Sequence, residues 1–228
     1  MLKALLGRFL GGSGSRGLDF DPAVDFVSFN PALAGLDQAQ AQAGKDLAES
    51  YADYTSRIST GGSAASLELS SLLLAVCRLL KPRRAVDLGS GFTSYVLRRH
   101  AREAGGDIEV LSVDDSPEWL SRTGDYLAEH GLERTGLLVW EDFEASGDSA
   151  FDLTVLDVRP IKRRVEQLPR LVGGLRPGGM ILVDDVHKPH MVQPMLELVA
   201  RHSWVCASLK SRTLDRHGRF AAAIKPRG

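Results

Sequence analysis

The sequence predicts an α/β domain built on a doubly wound, mostly parallel seven-stranded sheet that ends in an antiparallel hairpin. Three observations predict it. From Arg84 onward, short apolar runs near 84–88, 109–113, 137–140, 152–157 and 180–184 alternate with amphipathic segments near 93–103, 117–130, 162–172 and 190–201. That is the β–α alternation of a parallel sheet covered on both faces. Trp204–Lys210 and Arg219–Lys225 then flank a turn at Leu214-Asp-Arg-His-Gly218. No helix fits between them, so these two runs are expected to pair antiparallel. Finally, four of the apolar runs end in an acid, Asp87, Asp114, Asp157 and Asp184. Ligands of open α/β sheets bind beyond the carboxyl ends of the strands, where such acids would stand.

The elements before the sheet follow from pattern. Met1–Leu10 is apolar and basic, but Arg8 interrupts it and its apolar run is too short for a secretory leader. Gly11-Gly-Ser-Gly-Ser-Arg-Gly17 reads as a flexible linker, so residues 1–20 are expected to form a flexible N-terminal arm. Asp37–Ile58 is polar, with Leu47, Tyr51 and Tyr54 at helical spacing, and reads as a surface or lid helix. Thr60-Gly-Gly-Ser63 breaks it. Ser63 or Ser66 caps a strongly apolar helix that runs to about Leu80 and packs on the sheet, where Lys81-Pro82 ends it. The expected division is an arm over 1–20, a helical lid region over 21–80 and a core over 81–228, the helices and core forming one compact domain.

The chain has 228 residues, 43% hydrophobic and 25% charged, which suits one soluble domain. A formal net charge of -1 argues against a phosphate-backbone partner, so no nucleic acid is expected. No apolar run approaches the roughly 18 to 20 residues that span a bilayer. Cys77 and Cys206 lie far apart in apolar segments and read as free buried thiols, which suits a reducing cytoplasm. A homo-oligomer is compatible with this composition.

The most informative stretch is Ala85-Val-Asp-Leu-Gly-Ser-Gly-Phe-Thr-Ser-Tyr-Val-Leu97: strand, tight turn, helix. Gly89 and Gly91 would let a ligand approach the backbone, and Asp87 would accept hydrogen bonds from a cationic amino group above the turn. The third glycine of a dinucleotide fingerprint would fall at Ser94, which weakens a dehydrogenase reading. Val110–Asp114 is a second strand ending in an acid, where nucleotide-type folds grip a ribose diol. Taken together, VDLGSG, VDDSPEWL, FDLTVLD and LRPGGMILVDD resemble the motifs of the class I S-adenosylmethionine-dependent methyltransferases, from about Lys81 to Pro226. The resemblance implies a Rossmann-like fold, S-adenosyl-L-methionine as cofactor and methyl transfer to a small-molecule substrate. It assigns Asp87, Gly89, Ser90 and Gly91 to the methionine part, Asp114 to the ribose hydroxyls, Asp115 to the adenine side and Asp142 to the adenine amino group.

The chemistry is expected at the other strand ends. Asp157, Asp184 and Asp185 close two neighbouring strands, and three carboxylates there repel unless protonated or bound to a cation. Oxygen-only ligands favour Mg²⁺. The layout is similar to that of the catechol O-methyltransferase-type enzymes, with Asp185 in place of their Asn. The catalytic lysine of that type is absent at its position, and Lys162, two residues further on, is the substitute candidate. His187 and His190 follow directly and are candidates for a metal-free general base or for extra metal ligands. The plain alternative is that the two acids cap the next helix and the histidines lie on the surface. Lys162-Arg-Arg164 reads as the solvated start of a helix, while Arg212, Arg216 and Arg219 cluster where they could meet an anionic substrate. Trp119 and Trp140 are expected near the adenine side or in the core. The expected activity is O-methylation of a small molecule, metal-assisted or His-assisted, against a non-catalytic cofactor-binding module.

Overall fold

A computed structural model describes residues 19–105 and 108–227 of the chain. Most of the expected arm, residues 1–18, lies outside the described residues. Seven strands, β1 (Arg84–Leu88), β2 (Glu109–Asp114), β3 (Leu137–Val139), β4 (Phe151–Leu156), β5 (Leu175–Val183), β6 (Val205–Ser208) and β7 (Ala222–Lys225), form one sheet in the order β3-β2-β1-β4-β5-β7-β6. Strands β1 to β5 are parallel, and β7 runs antiparallel between β5 and β6. The order reverses between β1 and β4, so a crevice opens at their carboxyl ends.

The helices are α1 (Leu36–Arg57), α2 (Leu67–Leu80), α3 (Phe92–Glu103), α4 (Pro117–Glu129), α5 (Trp140–Ser146), α6 (Ile161–Gly173), α7 (Pro189–His202) and a short α8 (Lys210–Thr213). The central strands alternate their side chains between two cores. Leu153, Val155, Met180 and Leu182 enter the core shared with α1, α2 and α3, whereas Leu156, Ile181 and Val183 enter the one shared with α6 and α7. Burial on both faces explains why β1, β4 and the end of β5 read as nearly continuous apolar runs. Ser66 caps α2, accepting from the Leu69 N–H at 3.1 Å.

Three local expectations are corrected. The third strand stops at Val139, and Trp140 begins α5. A four-residue helix, α8, does sit between the last two strands, which still pair antiparallel. The expected surface or lid helix is α1, and it is not confined to the surface: Leu36, Ala43, Leu47 and Tyr54 are buried in the core. Among the described residues no helix is long and apolar enough to cross a membrane, and Cys77 and Cys206 are free and buried.

Candidate functional site

The turn after β1 is held from three sides. Gly89 N donates to the Val113 carbonyl at 2.8 Å, Ser90 N to Asp114 Oδ2 at 2.9 Å, and Asp157 N to the Leu88 carbonyl at 2.7 Å. Each bond ties β1 to a neighbouring strand end, so the turn is fixed before any ligand arrives. Gly89 has φ +110, and a Cβ there would lie 2.6 Å from the Asp157 carbonyl carbon. Glycine is required at this position by the close passage of β4, not by a ligand. At Gly91, φ +155, a Cβ would stand 3.1 Å from the Tyr54 hydroxyl and 3.9 Å from Trp119 Nε1, so a side chain there would crowd the Tyr54 side of the turn.

Asp87 lies under this turn. It is fully buried; both its oxygens accept from Thr93 Oγ1 at 2.9 Å, and one also accepts from Ser94 Oγ at 2.6 Å. Burial pushes its carboxyl up to about 7, against the lowering effect of those hydroxyls. It therefore ties β1 to the first turn of α3, and it lies beneath the turn rather than among the residues that line the crevice. Asp114 does face the crevice. It accepts from Ser90 N, Ser90 Oγ and Ser116 N, and a carboxylate with about four lone-pair sites still has one to offer. Burial raises its pKa.

A crevice of about 460 Å³ runs over the turn, lined by Gly89, Ser90 and Gly91 and by Asp114, Asp115, Trp119 and Asp157, with Tyr54 and the Ser59–Ala65 segment on the α1 side. That size falls within the usual span for small-molecule sites. Trp119 reaches in from α4, its Nε1 donating to the Ser90 carbonyl at 2.6 Å. Tyr54 packs against Phe92 and Tyr126 at ring distances of 5.2 and 5.0 Å. Tyr54 is a site residue that sequence reasoning placed only in a lid. Asp115 is half-exposed and paired with Arg163 at 3.2 Å. Asp142 is exposed in the first turn of α5 and does not line the crevice; Trp140 belongs to the core.

The ends of β4 and β5 carry a different chemistry. Asp157, Asp184 and Asp185 do converge, but Arg164 of α6 stands among them with its side chain only 2% exposed. Its Nε donates to the Val158 carbonyl at 2.7 Å, Nη1 to the Asp184 carbonyl at 3.2 Å and Asp185 Oδ2 at 3.4 Å, and Nη2 to the Asp157 carbonyl at 2.9 Å. Nη2 also stands 2.7 Å from Asp157 Oδ1. Lys188 Nζ adds a contact of 2.5 Å to Asp185 Oδ2. Burial works against ionisation of Asp185, yet Lys188 and Arg164 hold it below the usual carboxylate range. Burial, with Asp157 and Asp185 close by, pushes the Asp184 carboxyl well above the usual carboxylate range.

The expected Mg²⁺ site does not fit this donor set. Arg164 and Lys188 already pair with Asp157 and Asp185, and among the described residues no cluster of His, Cys, Asp or Glu is arranged to hold a metal ion. The remaining catalytic candidates also move. Lys162 is exposed and paired with Glu166 at 3.3 Å. His190 is exposed in the first turn of α7. His187 lines a second cavity, with Phe20 and Phe220, that shares no lining residue with the crevice. Arg212 pairs with Asp37, and Arg219 with Asp215 and the carbonyls of Gly61, Gly62 and Ala64, so neither is free for an anion.

This sheet order and the strand-end crevice define the class I S-adenosylmethionine-dependent methyltransferase fold. The comparisons agree with the resemblance drawn from the motifs. No family model matches the chain. It is 28% identical over 165 residues to a trans-aconitate 2-methyltransferase of Rhodopseudomonas palustris, covering 68% of this chain and 60% of that protein. It is 31% identical over 115 residues to a carboxy-S-adenosyl-L-methionine synthase of Ectopseudomonas mendocina, covering 43% of each. The matches thus span less than two thirds of these curated relatives. Among solved structures, the O-methyltransferase TomG of Streptomyces achromogenes, in complex with SAM, superposes with a TM-score of 0.59 at 19% identity, covering 88% of this chain and 97% of that one.

Proposed function

We propose that the chain is an S-adenosylmethionine-dependent methyltransferase that methylates a small molecule at oxygen without a metal. The observation that carries the reading is the crevice itself: a prebuilt glycine turn, the Asp114 carboxylate and Trp119 around one space at the strand ends. These residues fit the cofactor. Gly91 leaves the room that a Cβ would fill, and Asp114 stands where hydroxyls of a ribose can be accepted. When bound, S-adenosylmethionine supplies an electrophilic methyl group.

The rest of the reaction falls to this chain's residues. Tyr54 and Trp119 wall the site and exclude water. Asp157, on the crevice wall at the end of β4, is the group placed to take the proton that an acceptor hydroxyl loses. Arg159 lines the same crevice, and among the described residues it has no ion-pair partner. Its positive charge acts on Asp157 and offers a contact to an acceptor that carries negative charge, in keeping with a relative named for methylating trans-aconitate.

The test is calorimetry with S-adenosylmethionine and its demethylated product, followed by transfer of a labelled methyl group to a panel of phenols, catechols and small carboxylic acids. Binding of both nucleosides and label transfer to a panel member support the reading. Binding without turnover on any acceptor favours a non-catalytic binding module. NADH binding in place of both nucleosides overturns the assignment.

A further inference from the structure

We propose that Arg164 is the resident cation of this site, standing where the catechol O-methyltransferase-type enzymes hold a divalent metal, so that the Asp157–Asp184–Asp185 cluster binds no Mg²⁺ in this chain. The guanidinium spans the gap between β4 and β5, taking the backbone carbonyls of Asp157, Val158 and Asp184 together with two of the carboxylates. It cannot swing out. Residue 164 shares one face of α6 with Leu168, Leu171 and Val172, all buried, and its own side chain is enclosed to 2% exposure.

Charge and ligand count lead to the same assignment. Arg164 and Lys188 balance two carboxylates, while the third, Asp184, already accepts from the Asp185 N–H at 2.6 Å. A divalent ion would need several free oxygens at short range. Asp157 Oδ1 and Asp185 Oδ2 face protein cations. A metal ion drawn to the remaining oxygens would stand beside a fixed like charge, which disfavours it. The cation thus fixes the orientation of Asp157 at the crevice, which makes Arg164 a positioning residue. Only that last role rests on the methyltransferase reading; the exclusion of metal stands on the cluster alone.

Mn²⁺ titration followed by electron paramagnetic resonance tests this on the full chain, independently of turnover. The wild type is expected to leave the free Mn²⁺ signal undiminished at millimolar metal. Arg164→Met, which keeps the bulk and removes the charge, is expected to tighten Mn²⁺ binding about tenfold or more. Adding Asp157→Asn to it should reverse the gain. If the Met variant does not fold, Arg164→Gln, which also removes the charge, serves instead and is expected to show the same gain, while Arg164→Lys, which keeps a cation, is expected to show none. Mn²⁺ uptake by the wild type that Asp184→Asn abolishes would overturn the proposal, as would a folded Arg164→Met that gains no affinity. Product-nucleoside calorimetry on the same samples reports separately on the methyltransferase reading, since loss of that binding leaves the metal result standing.

Discussion

The ends of β1 and β2 and the ends of β4 and β5 each present strand-terminal acids, but they solve the charge problem in opposite ways. Asp87 and Asp114 are held by neutral donors: the hydroxyls of Thr93, Ser94 and Ser90 and backbone N–H groups. Asp157 and Asp185 are held by full cations, Arg164 and Lys188. The first arrangement buries Asp87 beneath the turn and leaves Asp114 on the crevice wall, with a lone pair for a ligand's own donors. The second is closed on itself, so it orients rather than binds. An acid at a strand end is therefore not one signal; its partner decides whether it serves a ligand or the scaffold.

The sharpest way to break this comparison is at Arg164. Arg164→Ala leaves buried carboxylates without their cation and is expected to cost about 3 to 5 kcal/mol of stability, read from denaturant unfolding. A loss below about 1 kcal/mol would show that the β4–β5 cluster is not ion-paired in solution.

The neutral cradle should reveal itself through pH. The Asp87 carboxyl sits near 7 folded against 3.8 as its ordinary value. Between those values the folded state binds the extra proton, so stability is present at low pH and falls as pH rises through the window. The slope is roughly 1.4 kcal/mol per pH unit at most. Asp87→Asn, which cannot ionise, should flatten that part of the stability profile; an unchanged slope would place its origin elsewhere.

Asp114 should act on the ligand rather than the scaffold. Asp114→Ala is expected to weaken binding of the demethylated cofactor by about 1.5 to 3 kcal/mol, tenfold or more by calorimetry, since a hydrogen bond to a charged group is lost. Asp142→Ala, by contrast, should leave affinity unchanged, because that side chain is outside the crevice. Equal losses in the two variants would redraw the cofactor's position.

The smallest effect is expected at Lys162 and His190. Lys162→Ala removes an exposed pair worth about 0.3 to 0.5 kcal/mol, and neither it nor His190→Ala should alter turnover. A collapse of activity in either would return the base to the surface side of α6 or α7.

Sequence alone determined the sheet class, the strand-end location of the site and the cofactor turn, because these depend on local order: apolar period, glycine at positive φ, and acids at fixed distances along the chain. The antiparallel finish was equally legible, although α8 between its strands was hidden, since four residues are too few to show a helical period. Tertiary structure alone decided what the acids do. Asp87 lies buried beneath the turn, where Thr93 and Ser94 donate to it, and α1 packs into the core through its few apolar residues while its Tyr54 lines the crevice. Arg164 departs furthest from what its local sequence suggests. Its basic neighbours suggested a solvated helix start, yet its spacing to Leu168, Leu171 and Val172 already set it on the buried face. Spacing tells which side chains share a face; only packing brings that face against three carboxylates, and the high cost of a buried unpaired charge then dictates that the guanidinium and the acids meet.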